Sequence, residues 1–217
     1  MKNIVVVGGG GHARVVISLI KKLAGYKLIG FTDPEQNADL LAVPYLGDDG
    51  ALEAVLREHA PCSAALGIGN TSISDRRVKK AAQLVEMGFD LPALISPAAV
   101  INEDVSIGDG TVVFDAAVVV TGARIGIACI LNTGCCVDHD CRVGDGVHLA
   151  PGSVLSGGVE VGRLAMIGAG AVVIHSRKVS ECCLVGAGAT VVRDLVEPGI
   201  YAGIPARKLR EGTGHIA

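Results

Sequence analysis

Two short stretches hold residues whose types and spacing could do chemistry. The first is GGGGHARVV, residues 8–16, which follows the apolar run IVVV. Gly8, Gly10 and Ala13 fit a G-x-G-x-x-A fingerprint, in which glycines let the backbone approach a phosphate at a helix N-terminus. Asp33 follows about twenty residues on, where a dinucleotide fold places its ribose carboxylate. The second stretch is NTGCCVDHD, residues 132–140, in which His139 stands between Asp138 and Asp140. An imidazole that is neutral near pH 7 can accept a proton from an attacking group. A carboxylate beside it can fix the tautomer and stabilise the imidazolium. A lone exposed histidine is more often an ordinary surface residue, so the elements that carry these stretches must decide.

Residues 1 to about 90 alternate strands and helices. NIVVVG reads as a strand. HARVVISLIKKLAG has helical spacing, with Val15, Val16, Leu19, Ile20 and Leu23 on one side and Gly25 to close it. KLIGFTD is a second strand, ending at Asp33-Pro34. DDGALEAVLREHA is a helix with Asp48 or Asp49 as N-cap. SAALGIG is a third strand, and SDRRVKKAAQLVEMG a third helix opened by Ser74 or Asp75. The alternation predicts a small parallel α/β sheet, Rossmann-like but with about half the strands of a full dinucleotide fold.

Beyond about residue 94 a different period governs. Every sixth residue from Ile95 to Val191 is aliphatic, seventeen in all. Two residues before each stands a mostly small one: Ala117, Ala123, Cys129, Cys135, Cys141, Ser153, Ala165, Ala171, Cys183 and Ala189, with Arg177 the exception. Glycine follows the aliphatic residue at 108, 126, 144 and 162. A six-residue unit makes one short strand and a turn, and three units make one coil of a three-sided solenoid. Coils stack about 4.8 Å apart through parallel backbone hydrogen bonds. Residues 95–195 give between five and six coils, whereas a β-sandwich would alternate with period two. The expected domains are 1–92 (α/β), 93–197 (solenoid) and 198–217 (C-terminal segment).

Composition removes other classes. The 217 residues carry a net charge of −3 with no basic run, so nucleic acid is not the expected partner. No apolar run is long enough to span a bilayer and none resembles a signal peptide, so a cytoplasmic protein is expected. Half the residues are hydrophobic but only 3% are aromatic, so the core is built from Val, Ile, Leu and Ala. Seven cysteines without a CxxC pair read as buried small residues rather than disulfides or a zinc site.

The period of six resembles the hexapeptide-repeat acyltransferases, and YAGIPARKL (201–209) is similar to the segment that follows their last coil. GGGGHARVV together with NTGCCVDHD narrows the resemblance. It points to bacterial sugar O/N-acetyltransferases related to sialic acid O-acetyltransferase and the UDP-4-amino-sugar N-acetyltransferase of bacillosamine synthesis. That resemblance implies a left-handed parallel β-helix, an exception to the right-handed crossover rule. It implies a homotrimer with active sites between adjacent prisms, acetyl-CoA in the groove between them, and no metal. The α/β domain would hold a nucleotide-linked amino sugar through Gly10, Gly11, His12, Arg14, Asp33, Gly69 and Asn70, with His12 facing its phosphates.

The resemblance makes His139 the general base of a direct transfer, so Cys136 needs no role as nucleophile. Asp140 stands where the family often has Glu, and Asp138 competes with it to orient the ring. Asn132 and His148 would contact the sugar. His148 lies nine residues from His139, half a coil, so the two can share a site only across a subunit interface. The Gly157 N–H would face the thioester carbonyl. Ala169 and Ala187, on the same side in later coils, would line the pantetheine, and Arg193, Arg207 and Lys208 could meet CoA phosphates. The expected function is acetyl transfer to the 4-amino group of a nucleotide-activated amino-deoxy sugar. Sialic-acid-type O-acetylation is the alternative. NAD-dependent redox chemistry or a non-catalytic nucleotide-binding role is more distant.

Overall fold

The structure, a computed structural model, describes residues 1–35 and 40–210. Strand β1 (Lys2–Val7) lies between β2 (Tyr26–Thr32) and β3 (Cys62–Leu66), all parallel. Helices cover both faces of β1, which is why its apolar run is unbroken rather than alternating. Ile4 and Val6 face α1 (Gly11–Lys22), while Val5 and Val7 face α2 (Leu52–His59) and α3 (Arg76–Glu86). The stripe of α1 is Ala13, Val16, Ile17, Leu19 and Ile20, and Val15 is 46% exposed. The buried stripe is thus centred one position later than expected, and Ile17 takes the place of Val15. Nor does Gly25 close α1: the helix ends at Lys22 because Leu23 turns extended, with its N–H on the Ile20 carbonyl. Asp48 accepts from the Gly50 N–H and opens the short turn into α2. Ser74 Oγ accepts from the Arg76 N–H at the start of α3.

Seventeen strands of two or three residues follow, from β4 (Leu94–Ile95) to β20 (Thr190–Val191). They form three parallel sheets, each strand pairing with the one eighteen residues on. From Val113 to Val191 the sixth-position aliphatics are at most 4% exposed, and they form one continuous core. The small slot is filled as the spacing predicts: Ala117, Cys129, Cys135, Cys141, Ser153 and Cys183 are all 0% exposed. Every sixth residue from Asp104 to Gly188 turns the chain with positive φ; eight of these fifteen are glycine, and Asp140 is one of the rest.

The three faces differ outside. The first carries Leu94, Val112 and Ile130, buried under the α/β domain with Ile4, Val6, Val16 and Phe114. The second presents the apolar row Val100, Val118, Cys136, Val154 and Val172, ending in Thr190, half-buried or exposed. The third presents Ser106, Arg124, Arg142, Glu160 and Lys178. After the last coil, β21 (Gly199–Ala202) and β22 (Arg207–Arg210) extend the first sheet.

Candidate active site

The carboxyl ends of β1 and β3 open onto a cavity of about 810 Å³. Its walls include the Gly8–Gly11 loop, His12, Asp33, Gly69 and the α3 side chains Arg76, Lys79 and Lys80. This is where a parallel sheet binds ligands, because loops diverge there and helix N-termini converge. The glycines divide by cause. A Cβ on Gly9 would sit 2.8 Å from Asp33 Cβ, and one on Gly8 2.9 Å from the Gly67 carbonyl carbon. A Cβ on Gly10 or Gly11 meets nothing within 4 Å, so no protein contact demands those two. The start of α1 has no side-chain cap and no acidic residue in its first turn. Its N–H groups are therefore an open anion site. Asp33 is tied to its own loops: Oδ2 accepts from the Gly9 N–H at 2.6 Å and Oδ1 from the Glu35 N–H at 3.1 Å.

Where the α/β domain meets the first face, His12, Asn70, Asn132 and His148 come together. His148 Nδ1 donates to the Asn70 carbonyl at 2.9 Å, and its Nε2 takes Asn132 Nδ2 at 3.3 Å. His148 is 8% exposed, and burial holds its pKa below the usual histidine value. His12 meets Phe114 edge-on with ring centroids 5.7 Å apart. Burial first, then the charges of Arg77 and His148, lower its pKa to about 3, so it meets a ligand as a neutral ring.

His139 stands elsewhere, on the edge between the second and third faces, in the turn after Cys136–Val137. Its Nδ1 lies 2.9 Å from Asp140 Oδ2. Asp138 Oδ1 instead accepts from the His139 backbone N–H at 2.7 Å, so Asp140 faces the ring and Asp138 holds the turn. The hydrogen bond to Asp140, then the charge of Asp138, raise the pKa of His139 above its ordinary value. Gly157 lies one coil on, directly against the ring: a Cβ there would be 2.7 Å from His139 Cε1 and closer still to Nε2. Among the described residues the Gly157 N–H has no acceptor, while the next N–H, of Gly158, bonds the His139 carbonyl.

Two expected placements need correction. Arg14 is exposed on α1 and does not line the cavity, because two residues of helix turn it about 200° away from His12. Ala169 and Ala187 are not on the side of Gly157. They lie in a stacked row with Pro151 on the edge between the first and second faces, two-thirds of a coil away, because twelve residues are two units of three. His148 and His139 do stand on different sides of the prism, the one on the first face, the other on the edge opposite.

Arg77 escaped the sequence reading, although a signal was there. Arg77, Ala81 and Leu84 follow helical spacing and form the buried face of α3, so an arginine sits in an apolar stripe. Among the described residues no group of three or more His, Cys, Asp or Glu could hold a metal, and no helix is long and apolar enough to cross a membrane.

Residues 3–81 match the PglD N-terminal domain family, and residues 140–175 the bacterial transferase hexapeptide family (six repeats). A histidine mutant of perosamine N-acetyltransferase from Caulobacter crescentus, in complex with CoA and GDP-perosamine, is 37% identical with a TM-score of 0.90. That likeness covers 97% of this chain and 98% of the other. The chain belongs to the acetyl-CoA-dependent sugar acetyltransferases of the hexapeptide-repeat class. The acetyltransferase domain of PglB from Neisseria gonorrhoeae, in complex with acetyl coenzyme A, is 33% identical over 96% of this acetyltransferase and 99% of that chain, with a TM-score of 0.88. UDP-N-acetylbacillosamine N-acetyltransferase of Bacillus subtilis is 34% identical over 115 residues, 52% of this acetyltransferase and 51% of that protein. The match thus spans about half the length of that curated relative. The fold of this acetyltransferase is a small parallel-sheet domain followed by a left-handed parallel β-helix.

Proposed function

We propose that this enzyme transfers an acetyl group from acetyl-CoA directly to the 4-amino group of a nucleotide-linked amino-deoxy sugar. The observation that carries the reading is His139, held at Nδ1 by Asp140 with Nε2 against Gly157. The amine attacks the thioester carbonyl, a C–N bond forms, and Nε2 takes the amine proton. The oxyanion meets the Gly157 N–H. The C–S bond then breaks, and the imidazolium returns the proton to the CoA thiolate. Cys136 takes no part.

The acceptor is placed in the α/β cavity. The open N-terminus of α1 takes the diphosphate, Gly10 and Gly11 leave it room, and Arg76, Lys79 and Lys80 supply the cations that neutral His12 does not. In one protomer this cavity and His139 lie on opposite sides of the prism, so the enzyme is read as a homotrimer in which a neighbour's base serves the cavity. The apolar second face supports that assembly. Ala169 and Ala187, on the far edge of that face, are then placed to line the pantetheine of CoA held against the neighbouring prism. Asn132 and His148 border the sugar.

The test is release of free thiol from acetyl-CoA with a panel of UDP-, dTDP- and GDP-linked 4-amino sugars and their 4-hydroxy counterparts. Turnover of an amino sugar is expected, and His139→Ala should reduce it about 10²–10⁴-fold, the usual worth of a general base, with the oligomer intact. Turnover of the hydroxyl compounds alone would make the enzyme an O-acetyltransferase. A His139→Ala variant with near-normal rate removes the base assignment.

A further inference from the structure

Arg77 is the largest fully buried side chain among the described residues, and there no carboxylate pairs with it. Backbone carbonyls surround it instead. Nε donates to Ala128 at 2.8 Å and Nη2 to Gly110 at 3.0 Å, both in edge turns of the early coils. Nη1 donates to Leu66 at 2.8 Å and Ile68 at 2.7 Å, at the end of β3 and the start of the cavity loop. The guanidinium thus joins two carbonyls of the α/β domain to two of the β-helix. Burial lowers its pKa to about 9, which still leaves it charged at neutral pH. An apolar residue of similar size would fill such a space without the penalty of burying a charge. What the charge adds is geometry.

That geometry reaches His12. Nη1 of Arg77 also stands 3.5 Å from His12 Nε2. Both Nη1 protons already go to the Leu66 and Ile68 carbonyls, so this contact is electrostatic rather than a third hydrogen bond. A cation beside Nε2 favours the lone pair there, and the neutral ring carries its proton on Nδ1. Among the described residues Nδ1 has no partner, and His12 lines the cavity. The charged or titratable groups bearing on the ring are Arg77 from α3 and His148 from the first face; both disfavour a second proton. Gly69 closes over the other side, where a Cβ would come 2.9 Å from His12 Cβ.

We propose that Arg77 is a positioning residue for the acceptor: it fixes His12 as a neutral, Nδ1-protonated donor to an oxygen of the bound nucleotide sugar, and pins the loop after β3 to the first coils. The proposal rests on reading the cavity as the nucleotide-sugar site. The Nδ1–H is a directional contact rather than a charge, so the salt dependence of acceptor binding belongs to Arg76, Lys79 and Lys80.

The test is NMR of the full-length, ligand-free protein with ¹³C,¹⁵N-labelled histidine, the His12 signals being identified by their loss in His12→Gln. His12 should not titrate between pH 5 and 8 and should show the proton on Nδ1. Titration near the ordinary histidine value, or a proton on Nε2, overturns the proposal. Arg77→Lys keeps the charge but loses the fork. It should turn His12 into a mixture of tautomers and raise the acceptor KM on the order of tenfold, the worth of one hydrogen bond, with kcat little changed. Loss of kcat and thermal stability at unchanged KM and tautomer would make Arg77 a structural rivet only. The NMR readout needs no acceptor, so failure of the acceptor panel and failure of this proposal are distinguishable.

Discussion

Asp140 is one methylene shorter than the Glu that the family often places after its histidine, yet its carboxylate reaches the ring at 2.9 Å. It does so from a turn position with φ of 60°, a left-handed conformation that Asp tolerates better than longer or branched residues. Its hydrogen bond is the main reason the His139 pKa is raised. In the proposed transfer the imidazole must be neutral, so the rate should fall as pH drops through a pKa above 6.5. In Asp140→Asn that acid limb should move down toward the ordinary value, with Asp138 retaining part of the shift. The plateau rate should fall about 10- to 100-fold, the worth of one charge-assisted hydrogen bond. A pH–rate profile of kcat measures both, and an unmoved acid limb would leave Asp138 as the group that sets the pKa.

The coil repeats one steric rule, and Ser153 strains it. Its hydroxyl is fully buried and is the one buried side-chain polar atom without a partner among the described residues. The equivalent slots hold Ala or Cys at 117, 129, 135 and 141. Ser153→Ala should therefore stabilise the protein by about 1 kcal/mol, raising Tm by roughly 2–4 °C. A melting curve decides, and a lower Tm would mean the hydroxyl is bonded. The inward positions were legible in the sequence because one environment recurs every six residues. The faces of α1 were less so: a single helix offers few turns to average over, and Val15 and Ile17 compete for the same stripe until the sheet chooses.

At the scale of the whole molecule, the two chemical stretches do not meet within one chain. The cavity faces away from His139 across the prism, and the second face carries an apolar row from Val100 to Val172. Val154→Glu would place a charge in the middle of that row. It should leave each chain folded, because the side chain points outward, but it should break the proposed trimer and remove most acetyl transfer. Light scattering with the thiol assay reads both effects. A fully active monomer would return the complete site to one chain.

The period of six specified the β-helix because a repeated steric demand on the inside of a coil is written directly into residue type. The same holds for the strand–helix alternation and for the two motifs, whose chemistry depends on adjacent residues. What only the tertiary structure decided is which groups face one another across long separations. It brought Arg77 to His12 and Gly110, set Gly157 against His139, moved Ala169 and Ala187 to another edge, and turned Arg14 to solvent. Such contacts depend on how two domains dock and on where each turn of a coil points. No local spacing encodes that, because the partners are chosen by packing and by the satisfaction of buried polar groups.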